Sequence, residues 1–493
     1  MNKNLSRALA VVVALGAVYT GTSWWLGQRV EAQYTSLLDR VAAQLGPDKI
    51  AERRYDRGLF GAQSTVVLQF RVPDGEAPEA AEETPGADPA KPEGSDGPES
   101  VRIVRVTLQD DIRHGPLAGW RPAAARVRTQ LISVEGLDDE TRQLFAKASA
   151  PEVVTYVGFG GNYQGNVHLP AGELTDPKRP ESRAQWQALD YDFDLSADAT
   201  QFSGKLQWPQ MSLQMEGAEA SDGLDAPSTA PDAAAAPPAT STTRVDLKGL
   251  VLNFAYHQPT GQWLMPLGKS DGQLEAFTVT HRAGRQTEFK PTLALKALRL
   301  ESETTENAGL LDAVTRAVGP GSLGATEFKE IRYESKFSRI DSQALATAQL
   351  LLMAFVFGTP DKQPVDDAAI RDMAQRWMNA RPAYSERYSA TAQDGQVGEM
   401  GYEMSLRDAP SPDSALPDGM PWFFALLQRL HVSADMRLPK TFLPAIAGML
   451  NDPGMQPGAL AEMADDFARR GWLQDDAGVW VGKVEYGQGA LTL

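Results

Sequence analysis

The sequence predicts an α+β fold. An N-terminal transmembrane helix comes first, then a large, mostly antiparallel β-sheet built from a meander of hairpins, with helices concentrated in the C-terminal third. Three observations predict it. Ala8–Leu26 carries no charged side chain, a dozen later segments alternate apolar and polar residues, and strongly apolar helical patterns enter mainly after residue 340.

The anchor comes first in chain order. Lys3 and Arg7 precede the apolar run, and Trp24 and Trp25 close it. From Leu5 to Leu26 a helix rising about 1.5 Å per residue would be roughly 33 Å long, enough to cross a bilayer core. The basic start keeps the N-terminus in the cytoplasm and sets the tryptophan pair at the far headgroup layer. Residues 1–28 are therefore expected to be a signal-anchor helix and residues 29–493 a body on the outer side. A cleaved signal peptide shares the basic start, but its apolar stretch is usually shorter, and no A-x-A site follows here; Thr20–Ser23 offers only a weak cut. Ala10, Ala14, Ala17 and Gly21 form a small-residue stripe of the kind that packs two anchors together, so a homodimer is one expectation.

The strands follow. Thr65–Val72, Val101–Leu108, Lys205–Met215 and Arg244–Tyr256 alternate with period two, the mark of a strand with one buried face. Between the first pair lies Asp74–Ser100 and between the second Gly217–Thr243, both rich in Pro, Ala, Gly, Ser and acids. They hold almost nothing to bury, and they are expected to be disordered insertions (74–100 and 217–243) in overgrown hairpin loops. Further period-two runs are Arg126–Val134, Glu152–Tyr156, Tyr191–Leu195, Gln273–Thr280, Thr292–Leu300, Glu327–Phe337, Tyr384–Ala392 and Val397–Leu406. Helical patterns are expected at Ser342–Phe357, Asp366–Met378, Pro421–Leu430, Thr441–Leu450 and Gly458–Gly471. The apolar run Ala344–Phe357 is too short to span a bilayer and reads as a core helix.

Composition bounds the chemistry. The chain has no cysteine, which excludes disulfides, thiolate catalysis and cysteine-ligated metal. The two acidic tracts supply −8 and −4 of the formal charge of −17, so the acidity is local and no basic face for nucleic acid is expected. The five histidines, His114, His168, His257, His281 and His431, have no metal-site spacing. G-x-S-x-G and P-loop patterns are absent. VGFGGNYQG from Val157 places Tyr163 where a dinucleotide fingerprint needs glycine, and it reads as a turn. No catalytic, cofactor or metal residues are assigned, and no cofactor is expected.

Two compact motifs stand out. In His114-Gly115-Pro116, at a strand end, Pro116 holds Gly115 extended while Gly115 lets the chain turn. A histidine there would either titrate or bind a ligand, or cap the structure through a ring-to-backbone hydrogen bond. In Tyr55-Asp56-Arg57-Gly58-Leu59-Phe60, Arg57 and Gly58 mark an entry turn into the strand at Thr65, with Arg57 either an ion-pair partner or a substrate clamp.

With these motifs the chain resembles the YdgA-like family of bacterial envelope proteins, a family of unknown function. The resemblance rests on G-x-x-W-x-x-G at Gly21, Trp24 and Gly27, R-Y-x-R-G-x-F at Arg54–Phe60, H-G-P at His114–Pro116, and Gly471-Trp472-Leu473 leading to a closing GALTL. It implies a single-pass inner-membrane anchor with the body in the periplasm, and it supplies no reaction. The expected role is a non-enzymatic envelope protein that binds a ligand or partner, with a lipid in an apolar trough as one occupant. A homodimeric interaction scaffold is the alternative, and a hydrolase using His114 a third reading.

Overall fold

The structure, a computed structural model, describes residues 3–73, 101–145, 148–218, 240–258, 265–282, 288–357, 366–407, 429–450, 455–487 and 490–492; for residues 3–18 this is the backbone alone. The acidic stretches 74–100 and 219–239, and residues 421–428 of the expected helix Pro421–Leu430, lie outside the described residues. The chain divides into two compact units: one of Met1–Arg142, Ala150–Gly165 and Leu350–Val365, the other of the remaining residues.

The first unit is a helix laid on a five-stranded meander. Helix α1 runs Lys3–Leu45, and strands β1 (Ile50–Arg57), β2 (Gly61–Pro73), β3 (Val101–His114), β4 (Ala125–Glu135) and β5 (Glu152–Val157) pair antiparallel in sequence order. Pro73 stands opposite Val101, so the strands flanking the first acidic tract are partners in one hairpin. The sequence-predicted anchor ends at residue 28, but α1 continues to Leu45. Its physical reason is a second buried stripe: Ser23, Leu26, Gly27 and Val30 are buried, at spacings that share one helical face, and Ala42 is buried further along. Leu26 and Val30 pack on Ala62, Ile112, Ala125 and Val157 of the sheet.

Among the described residues no helix is long and apolar enough to cross a membrane. The expected span, residues 5–26, falls mostly on positions whose side chains lie outside the described ones.

The second unit is dominated by long strands. After β6 (Tyr163–Leu169), β7 (Gly172–Thr175), β8 (Arg183–Trp186) and β9 (Leu189–Leu195) come β10 (Gln201–Ala218), β11 (Thr240–His257), β12 (Leu267–Arg282), β13 (Lys290–Asn307), β14 (Leu310–Leu323) and β15 (Thr326–Asp341). These six, each of 14 to 18 residues, pair in sequence order, and β8 and β9 lie along the outer side of β10. Ala218 stands opposite Thr240, again closing an acidic tract into a hairpin. The sheet continues through β16 (Ala383–Ala392), β17 (Val397–Leu406), β18 (Leu430–Pro439) and β20 (Val479–Gly487), with short β19 (Gln474–Asp476) and β21 (Ala490–Thr492) pairing to β20.

One transverse row interrupts the long strands. Gly249 and Ala297 have positive φ (67° and 47°), and the ladder shifts between Leu295 and Arg299 and between Gly319 and Gly321. Pro209 and Pro320 sit in this row, where a missing N–H is tolerated because the ladder is already broken.

Helices α2 (Asp139–Phe145), α3 (Ser342–Phe357), α4 (Asp367–Ala380), α5 (Leu443–Leu450) and α6 (Pro457–Arg469) complete the chain. The fold is therefore mostly antiparallel β with few helices. The expectation that helices concentrate in the C-terminal third is corrected: the longest by far is α1, because its amphipathic half extends the apolar one. Residues 421–428, read as helix, lie outside the described ones, and Leu430 already begins a strand. In α3, Ala344 is buried as expected of a core helix, but Leu350 and Leu352 are exposed. Phe328 and Phe442 meet edge-on at 5.0 Å to anchor the start of α5, and Leu443, Leu460 and Trp480 form a core between α5, α6 and β20.

Candidate functional site

The sequence motifs of the first unit converge on one corner. β3 delivers His114, the end of β1 and the β1–β2 turn deliver Arg57–Phe60, and α1 delivers Ser23 and Gly27. The His114 N–H donates to the carbonyl of Phe60 at 3.1 Å, and Nδ1 lies 3.0 Å from the carbonyl oxygen of Ser23. The ring faces Gly27 so closely that a β-carbon there would meet three ring atoms at 2.7–3.0 Å. Gly115 has φ of 143°, donates its N–H to Ala124, and would drive a β-carbon to 2.8 Å from Ser23 Oγ. Thus Gly27 and Gly115 are bare so that the helix and the strand end can touch.

His114 is 3% exposed, and burial pushes its pKa below the ordinary value; the hydrogen bond to the Ser23 carbonyl pulls it part of the way back. Among the described residues, nothing hydrogen-bonds its buried Nε2 or the buried Ser23 hydroxyl. Among the described residues no carboxylate engages the ring. The ring-to-backbone bond anticipated from sequence is present, though it joins the strand to α1 rather than capping the sheet. Pro116 follows at the corner, half-buried.

Arg57 is an ion-pair partner: its Nη1 lies 2.7 Å from Glu31 Oε2 on α1, and Arg53 reaches Asp39 on the same helix at 2.6 Å. Gly58 closes the turn, its N–H donating to Gly61 at 2.7 Å. Only the second half of the Tyr55–Phe60 motif is turn; Tyr55–Arg57 is the end of β1.

A buried network that sequence reading missed holds the middle of α1. Tyr34 donates to Asp110 Oδ2, Thr129 donates to Asp110 Oδ1 at 2.5 Å, and Ser64 donates to the Tyr34 hydroxyl at 2.8 Å. Asp110 and Ser64 are both buried. Burial, with the Asp110 charge beside it, raises the Tyr34 hydroxyl well above its ordinary value, and burial pushes Tyr55 up to about 12. The available signal was the helical spacing from Ser23 through Leu26, Val30 and Tyr34, running past the end of the apolar stretch.

A family model described as "Bacterial protein of unknown function (DUF945)" matches residues 1–493. The chain belongs to this family. It is also 26% identical over 225 residues to "Protein YdgA" of Escherichia coli (strain K12), a match covering 42% of this chain and 39% of that protein. The chain thus spans about two fifths of the length of the curated relative it matches. No solved structure matches. For this DUF945 chain the corner at His114 is where G-x-x-W-x-x-G, R-Y-x-R-G-x-F and H-G-P meet, and its geometry is that of a clamp between helix and sheet. Among the described residues no three His, Asp or Glu side chains are grouped to hold a metal ion.

Proposed function

We propose that the chain is a non-catalytic envelope protein, anchored in the bacterial inner membrane through the charge-free start of α1, ahead of the residues that pack on the sheet, and that its periplasmic sheet holds the apolar part of a lipid. The observation that carries the reading is a half-exposed apolar face in the second unit. Tyr191, Leu206, Leu252, Phe254 and Tyr256 share that face by register, and every one of them is only partly buried. The buried apolar clusters of the described residues lie elsewhere, under α1 and under α5 and α6. An apolar surface of this kind gains about 0.8 kcal/mol for each CH₂ it buries.

Anchoring is supported by the charge-free run and by a rim of exposed apolar residues. Trp24 and Trp25 on α1, Leu59 and Phe60 in the β1–β2 turn, and Leu117 and Trp120 after β3 are all exposed, Trp120 at 93%. Such amphipathic and apolar side chains favour a headgroup layer.

Photo-crosslinking in cells tests the lipid reading on the full-length chain. A photoreactive phenylalanine at Phe254 should capture lipid, and one at Asn253, on the opposite face, should not. Equal capture at both positions, or none at either, would sink it. Capture of a second copy of the chain at Phe254 would favour the homodimeric scaffold instead.

A further inference from the structure

The second unit carries a cluster that the lipid reading does not use. Glu386 sits in the middle of β16, and alternation puts Tyr384 and Tyr388 on its face. Register brings Tyr333 of β15 opposite Tyr388, and Tyr402 of β17 opposite Glu386. Three hydroxyls converge on the carboxylate: Tyr333 donates to Oε1 at 3.0 Å, Tyr388 to Oε2 at 2.6 Å, and Tyr384 to Oε1. The rings pack on one another, Tyr333 with Tyr388 at 5.2 Å and Phe337 with Tyr384 at 4.4 Å, while Tyr402 meets Tyr384 edge-on at 5.9 Å.

We propose that Glu386 and its tyrosines form a subsite for the ammonium group of a zwitterionic phospholipid headgroup. This rests on the lipid reading above and names the headgroup.

Charge argues for a cation. Hydrogen bonds from the tyrosines hold Glu386 ionised, down to about 2, and among the described residues no lysine or arginine forms an ion pair with it. Ring faces carry negative potential, so the carboxylate and the rings attract the same guest and repel an anionic one. Three lone pairs are already taken, which leaves an ammonium to be held mainly by charge and ring faces. The site is also open: Tyr388, Phe337 and Met400 are 40%, 41% and 54% exposed.

Register argues for a lipid rather than a small cation. Glu386 stands opposite Ser335, which continues through Thr315, Ser302 and Ser270 to Phe254. The ammonium subsite and the aromatic patch are therefore ends of one row on one face, joined by small side chains. Five inter-strand spacings of about 4.8 Å make roughly 24 Å. Half of a bilayer with its headgroups, the length of one phospholipid, is roughly 20–22 Å.

The test is native mass spectrometry of the full-length chain in detergent, titrated with phosphatidylethanolamine, phosphatidylcholine and phosphatidylglycerol. The parent should favour the two zwitterionic lipids by about two- to fivefold, in line with an exposed cation–π site. Glu386→Gln and Tyr388→Leu should each reduce that preference to near one, with phosphatidylglycerol binding and melting temperature unchanged. Variants that keep the preference, or a parent that favours phosphatidylglycerol, would overturn the subsite. If the parent binds no lipid, the lipid reading fails, and a tetramethylammonium titration followed on the Tyr388 ring resonances decides the subsite alone. Shifts lost in Glu386→Gln would sustain it, and no shift in the parent would end it.

Discussion

The imidazole of His114 lies on the bare backbone of Gly27, and the two residues come from elements 87 positions apart in the chain. The contact explains why one glycine of G-x-x-W-x-x-G is needed and the other is not. A β-carbon at residue 27 would fall 2.7–3.0 Å from the ring, whereas one at Gly21 would meet nothing within 4 Å. Gly27→Ala should therefore lower stability by about 1–3 kcal/mol, the usual range for overpacking. Gly21→Ala should be neutral or slightly stabilising, since alanine is the better helix former. Denaturant unfolding of the two variants checks this, and equal effects would mean that the Gly27–His114 contact does not hold the helix to the sheet.

The buried ring also makes stability depend on pH. Burial lowers the folded-state pKa of His114 below its unfolded value of about 6.5, so the unfolded chain binds the proton first. The contribution is complete above about pH 6.5 and is lost as pH falls through the depressed folded value. The slope from this one group cannot exceed about 1.4 kcal/mol per pH unit. Unfolding midpoints of the parent should fall from pH 7.5 to 5 more steeply than those of His114→Gln. Parallel curves would show that another group sets the slope.

Polar contacts along α1 are unequal. Tyr34→Phe leaves buried Asp110 with Thr129 alone, and an under-satisfied buried acceptor costs about 1–3 kcal/mol. Arg57→Ala removes an ion pair whose two side chains are each at least one third exposed, a kind that contributes about 0–1 kcal/mol. The first variant should be the more destabilising in urea unfolding. Combining Tyr34→Phe with Asp110→Asn should give less than the sum of the two, because the partners share one interaction. Additive effects would mean that the network is not a unit.

Much of this fold was legible because period-two alternation survives wherever a strand has one apolar face. Thr65–Val72, Arg244–Tyr256 and Val397–Leu406 all lie within observed strands. β14 was missed for a physical reason: Gly319 and Pro320 sit at the bulge row and break its alternation. β1 was hidden by Arg53, Arg54, Asp56 and Arg57, whose charges serve ion pairs on its exposed positions. The motifs at Gly27, Arg57 and His114 were each visible, but their meeting was not, because it depends on α1 crossing the end of β3. Likewise Tyr384, Glu386 and Tyr388 alternate in plain view, yet Tyr333 joins them only through the pairing of β15 with β16.

The course of α1 also decides where the chain can be cut. A fragment beginning at Arg29, the expected start of the body, would discard Ser23, Leu26 and Gly27. All three are buried, and Leu26 belongs to the core with Val30, Ile112 and Ala125. Losing one fully buried leucine alone removes about 1.5–3 kcal/mol, before the Ser23 carbonyl is taken from His114. A fragment beginning at Tyr19 keeps these contacts and omits most of the charge-free run. It should therefore melt higher than the Arg29 fragment and protect α1 from protease, and in the shorter fragment the remaining helix should be cleaved first. Equal melting temperatures and equal cleavage would mean that residues 19–28 belong to the anchor alone and contribute nothing to the body.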